Sequence, residues 1–152
     1  MMDLFLTLCF LLFVMSTLGT LIHESGHVLG AMFVRADNIH LSIGLGKPLT
    51  TFSFKKLHIT VHRLFFLGGS VKSERYPPFR KLELFCVTVL GSINNGFFAL
   101  LFYFLNEVHY NNYIQFLCIF NLWLMIVNLL PFKLKEKQSD GYTLLKMIIR
   151  NK

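Results

Sequence analysis

Charge is scarce in this chain, and it is absent from long stretches altogether. Of 152 residues, 15% are charged and 54% hydrophobic, and the mean hydropathy is +0.55. A soluble domain of this length needs a charged surface around its core, which this composition does not supply. Residues 84–105 and 113–132 carry no charge, and residues 4–34 carry none before Glu24. Each stretch reaches the roughly 20 residues of apolar helix that cross a hydrocarbon core. No Lys or Arg precedes Arg35, and none lies between Lys81 and Lys133. The 15 basic residues thus flank spans and form no continuous face, which argues against nucleic-acid binding despite a formal charge of +7. With three crossings, both basic regions fall on one side. The positive-inside rule makes that side the cytoplasm, with the N-terminus outside.

Cysteine is also sparse. Cys9, Cys86 and Cys118 fall one per apolar stretch with no CxxC, and read as packed or lipid-facing thiols. The N-terminal stretch lacks a basic n-region and a small-residue cleavage pattern, so it is expected to be a retained span and not a signal peptide. Residues 106–112 are too few to hold a folded domain between the second and third spans. A soluble gating module is therefore expected to be absent or supplied by another protein.

What is present between the first two spans reads as strand. Ile39-His40-Leu41-Ser42-Ile43 and Leu57-His58-Ile59-Thr60-Val61-His62 alternate apolar and polar residues. Gly44, Gly46-Lys47-Pro48 and Gly68-Gly69 supply turn signals, and Pro77-Pro78 closes the segment. The expectation is a single, mostly α membrane domain over residues 1–152. It has three transmembrane helices (about 4–34, 84–105 and 113–132), a small cytoplasmic-side β-hairpin or sheet between the first two, and a short C-terminal helix.

His23-Glu24-Ser25-Gly26-His27 is an HExxH sequence inside the first span. Residues four apart on a helix share a face, so both imidazoles can reach one ion. Zinc suits two neutral nitrogens and a carboxylate oxygen, and leaves a fourth position for water. Glu24 is offset by one residue, where its carboxylate can take a proton from that water. A charge inside a spanning helix costs about 2.5–3.5 kcal/mol on insertion scales. A divalent cation beside Glu24 offsets that cost.

A third ligand must come from the same depth. Asp140 follows the end of the third span and is the only Asp after Asp37. It fits two readings equally: a metal ligand, or the N-cap of the apolar-periodic run that follows it. His58 and His62 lie about 13 Å apart along a strand, too far to share an ion, and His40 and His109 are isolated.

These residues resemble the site-2 protease family of intramembrane zinc metalloproteases. HESGH at His23–His27 is similar to the motif of the family's first core helix, and Leu67-Gly68-Gly69-Ser70-Val71-Lys72 to its LGGxVK segment. Gly91-Ser92-Ile93-Asn94-Asn95 resembles a GPxxN-like element, and Asn128-Leu129-Leu130-Pro131 with Asp140-Gly141 resembles NxxP…DG. The resemblance implies one zinc per chain held by His23, His27 and Asp140, with Glu24 as the base. It also implies a role for Asn95 in binding substrate or stabilising the oxyanion, and a strand edge that receives an extended membrane protein or peptide substrate. The setting it implies is multi-pass, in a bacterial cytoplasmic membrane.

There are two departures. Residues 133–139 separate Asp140 from Pro131 by more than the family's usual spacing, and Ser92 stands where Pro is frequent. The displaced aspartate keeps a second expectation open, that of a catalytically degenerate membrane protein binding a peptide or partner. Three helices are a thin shield for a water-containing site, so self-association or a gating partner is expected.

Overall fold

Alternation of long apolar helices with one strand-rich segment sets the architecture. A computed structural model describes residues 2–134 and 137–149. Helix α1 (Met2–Cys9) runs through a π-helical segment, Phe10–Met15, into α2 (Ser16–Phe33). Strands β1 (Asn38–Phe54) and β2 (Leu57–Glu74) follow, then the helix pair α3 (Lys81–Val108) and α4 (Asn112–Leu129). A two-stranded hairpin, β3 (Lys133–Leu134) and β4 (Lys137–Gln138), precedes α5 (Asp140–Ile149).

Three helices, Met2–Phe33, Lys81–Val108 and Asn112–Leu129, are long and apolar enough to cross a membrane. At 1.5 Å per residue even the shortest covers about 27 Å. Their outward faces carry side chains such as Phe97, Phe104, Ile119 and Trp123, all more than half exposed, while His23, Glu24, Ser92, Asn95 and Asn121 are buried. Apolar outside and polar inside is the reverse of a water-soluble bundle. The helices extend beyond the expected spans where caps permit: Glu83 accepts from the backbone N–H of Arg80 at 2.7 Å, starting α3 at Lys81. Helix α4 stops at Leu129, not 132, because the residue before Pro131 is driven to extended backbone, as Leu130 shows at φ −70°, ψ 132°.

Helices α2 and α3 pack closely because α2 presents glycine to its neighbour. A Cβ on Gly26 would run into the Leu90 carbonyl and the Gly91 Cα, and one on Gly30 would lie 2.8 Å from the Val87 Cα. Close backbone approach through small residues is the usual device for helices in an apolar medium.

The sheet is longer than the alternation predicts, because Gly44, Gly46 and Gly68 bend the strands at positive φ without ending them. Residues 39–43 lie between two parts of β2. They pair with residues 57–61 in the same direction and with residues 69–73 in the opposite one. The inner face of this strand, Ile39 and Leu41, packs with Val28 and Ala31 of α2, with Val34 just after it, and with Val87 of α3. Arg75 locks the exit: it donates to Glu83 at 2.9 and 2.6 Å and to the Val34 carbonyl at 2.8 Å, joining the ends of α2, β2 and α3.

Candidate metal centre

The HExxH residues lie on continuous α-helix, so His23 and His27 stack one turn apart. Their Nε2 atoms are 3.1 Å from each other, with the rings edge to face. The opposite nitrogens are both committed to α3. His27 Nδ1 donates to the Val87 carbonyl at 2.8 Å, and His23 Nδ1 donates to Asn95 Oδ1 at 2.7 Å. A carbonyl oxygen accepts only, so each Nδ1 carries its ring's proton and each Nε2 keeps a lone pair. Gly91 makes room for this arrangement, since a Cβ there would overlap the His27 ring.

Asp140 closes the set. Its Oδ2 lies 3.3 Å from His23 Nε2 and its Oδ1 3.4 Å from His27 Nε2. Two lone pairs and a carboxylate pointed at one spot repel one another unless a cation lies among them. Two imidazole nitrogens and one carboxylate oxygen, each within 4.8 Å of the others, are the donor set that zinc takes at three of its positions. The hydrogen-bonded Nδ1 atoms are the outer support such ligands carry.

The residues 133–139 between span and aspartate are no obstacle. Phe132 and Ser139 bond to each other across the base of the β3–β4 hairpin, N–H to Oγ and N–H to carbonyl, both at 3.1 Å. Lys135 and Glu136 lie outside the described residues. Ser139, not Asp140, caps α5: its Oγ accepts from the Tyr142 N–H at 3.1 Å and donates to the Leu130 carbonyl at 2.6 Å. The aspartate side chain is thereby free to face the histidines. Ser92 Oγ donates to Asp140 Oδ2 at 3.1 Å.

Glu24, 7% exposed, lines the same cavity of about 640 Å³ and makes no hydrogen bond among the described residues. The cavity is walled by α2 on one side, by residues 68–71 and 73 of β2 above Glu24, and by Leu134, Lys137 and Gln138 of the hairpin opposite. Gly69 lies against Glu24; a Cβ there would come within 2.8 Å of its Cγ.

The structure therefore brings His23, His27 and Asp140 together, with Glu24 beside them. Asn95 is fully buried, does not line the cavity, and directs its amide to His23, Gly19 and Asn121. His40 stacks on His58, and His62 bonds to Ser42 and the Gly46 carbonyl, all within the sheet. Sequence reasoning missed Ser92, Asn121 and Ser139. For Asn121 a signal existed: a lone amide deep in an apolar span marks a polar partner.

The sequence model of Peptidase family M50 matches residues 10–111, about two thirds of the chain. The chain belongs to that family. No curated protein matches it. The M50 match spans the HExxH helix, the sheet and all of α3, and with it the site-2 protease resemblance and a metallopeptidase classification. It ends before α4 and Asp140, so the place of the aspartate rests on the geometry above.

Proposed function

We propose that this M50 chain is a zinc-dependent intramembrane endopeptidase, hydrolysing peptide bonds of membrane-embedded or membrane-associated substrates near the cytoplasmic face. The observation that carries this reading is the convergence of both Nε2 atoms and the Asp140 carboxylate beside Glu24 in one cavity. His23, His27 and Asp140 would hold the zinc, which would supply a Lewis acid to acidify water and polarise a carbonyl. Glu24, with no competing hydrogen bond among the described residues, accepts a proton from water in the cavity and returns it to the leaving amine nitrogen.

A helical substrate has its carbonyls bonded internally and must be drawn out before it can be cut. Residues 69–73 support a means of holding it. Among the described residues they pair only with residues 39–43, and residues 69–71 and 73 line the cavity, which suits addition of an extended segment as a further strand. The three apolar helices support a multi-pass setting, and the basic residues before α3 and after α4 support a cytoplasmic placement of the sheet and C-terminus.

The test is zinc per chain in detergent-purified protein, beside cleavage of candidate membrane substrates. About one zinc in the parent and a large loss in Asp140→Ala support the three-ligand site. Cleavage by the parent but not by Glu24→Gln supports the enzyme. Absence of zinc from folded parent protein overturns the reading and favours a peptide-binding relative.

A further inference from the structure

Two fully buried amides stand behind His23, and the hydrolytic chemistry uses neither. Asn95 of α3 and Asn121 of α4 are both 0% exposed. Asn95 Oδ1 accepts the His23 Nδ1 proton at 2.7 Å, and its Nδ2 donates to the Gly19 carbonyl at 3.2 Å and to Asn121 Oδ1 at 2.9 Å. Asn121 Nδ2 in turn donates to the Leu117 carbonyl at 2.8 Å. A chain of hydrogen bonds thus runs from α4 through α3 to the metal-facing ring on α2.

Its direction is fixed at the far ends. The Leu117 and Gly19 carbonyls can only accept, so Asn121 must turn its NH₂ to the first, and Asn95 its NH₂ to the second. Asn121 then has only its oxygen to offer Asn95, and Asn95 only its oxygen to offer His23. A half-turn of the Asn95 amide would present NH₂ to Nδ1. The ring would then carry its proton on Nε2, on the lone pair that faces His27 and Asp140. The tautomer that can bind metal depends on which way the amide faces.

We propose that Asn121 is a positioning residue for the metal centre: through Asn95 it holds His23 as the Nδ1–H tautomer, with Nε2 open toward His27 and Asp140. This rests on the zinc reading above. The relay joins all three long helices at the depth of the site, so assembly of α4 against α3 is coupled to the competence of a ligand on α2.

Zinc affinity measured by chelator competition on the full chain in detergent tests it, with helix content and elution profile as the check on folding. Replacing an outer partner of a metal-bound His weakens binding about 10–100-fold. Asn95→Leu is expected to lose that much. Asn95→Asp keeps an acceptor on Nδ1 but has no N–H for the Gly19 and Asn121 oxygens, and is expected to recover only part of it. Asn121→Leu is expected to weaken binding by about tenfold or more, and to add little in the Asn95→Leu background, since residues acting through one another are not additive. In metal-free protein labelled with ¹⁵N-histidine, the parent is expected to show His23 as one tautomer and Asn121→Leu as a mixture.

If Asn121 only glues helices, Asn121→Leu lowers stability while affinity and tautomer stay as in the parent. That result overturns the relay. A parent that binds zinc with dependence on Asp140, alongside unaffected Asn121 and Asn95 variants, defeats the relay alone. A folded parent without zinc defeats the metal reading, and the relay with it.

Discussion

Ser92 Oγ, buried on α3, donates to Asp140 Oδ2 at 3.1 Å, so the same helix that orients both histidines also orients the carboxylate opposite them. Without the hydroxyl, Asp140 can rotate away from the histidines. Ser92→Ala is expected to keep the fold and weaken zinc binding about tenfold, the lower end for an outer partner, by chelator competition. Ser92→Thr, which keeps the hydroxyl but adds a methyl group where there is no exposed surface, is expected to bind less well than the parent through crowding.

Gly91 and Gly96 lie on the same helix and make opposite predictions. A Cβ at Gly91 overlaps the His27 ring, which is held at Nδ1 and cannot retreat. At Gly96 the nearest atom is the sulfur of Met125, the flexible end of an adaptable side chain. Gly91→Ala is therefore expected to displace His27 and abolish stoichiometric zinc. Gly96→Ala is expected to retain it, with a stability change of about 1 kcal/mol or less. Metal analysis of the two variants side by side distinguishes a local effect on the ligand from general damage to α3.

Much of this was legible in the sequence. Helices announced themselves through uncharged runs, the sheet through alternation at Ile39–Ile43, and two candidate ligands through their spacing. The strand lengths were misjudged because Gly44, Gly46 and Gly68 are turn signals that here act as bends. Asp140 stayed ambiguous because Asp at a helix start is so often a cap. Only the contacts of Ser139, which bind it to Phe132, Leu130 and Tyr142, show that the capping position is already filled. The surroundings of Asn95 were not legible, because an amide beside an HExxH motif looks the same in sequence whether it faces a cavity or the back of a histidine.

The part played by Ser139 gives a further prediction. Ser139→Ala removes the cap of α5, worth about 0.5–2 kcal/mol, and frees the hairpin base from the Leu130 carbonyl. Asp140 then loses its fixed approach. Zinc affinity is expected to fall, while Ser139→Thr or Ser139→Asp, which preserve an N-cap acceptor, are expected to recover part of it. A variant that recovers capping without recovering affinity would show that the contact to Leu130 matters more.

Removal of metal should be visible in stability as well as in composition. A cation bound only by the folded chain stabilises it by mass action, about 4 kcal/mol at a free concentration 1,000 times its dissociation constant. The parent is therefore expected to unfold at lower temperature after chelation and to recover on adding zinc. Asp140→Ala is expected to respond to neither treatment at the same zinc concentration. Glu24→Gln separates binding from chemistry. Glu24 lies in the cavity but outside the group of His23, His27 and Asp140, so its amide variant should keep the zinc-dependent rise in melting temperature. Its cleavage rate is expected to drop about 10²–10⁴-fold, the span that a positioned proton carrier contributes. Loss of the zinc-dependent rise in Glu24→Gln would make Glu24 a ligand, and the assignment of base would have to move elsewhere in the cavity.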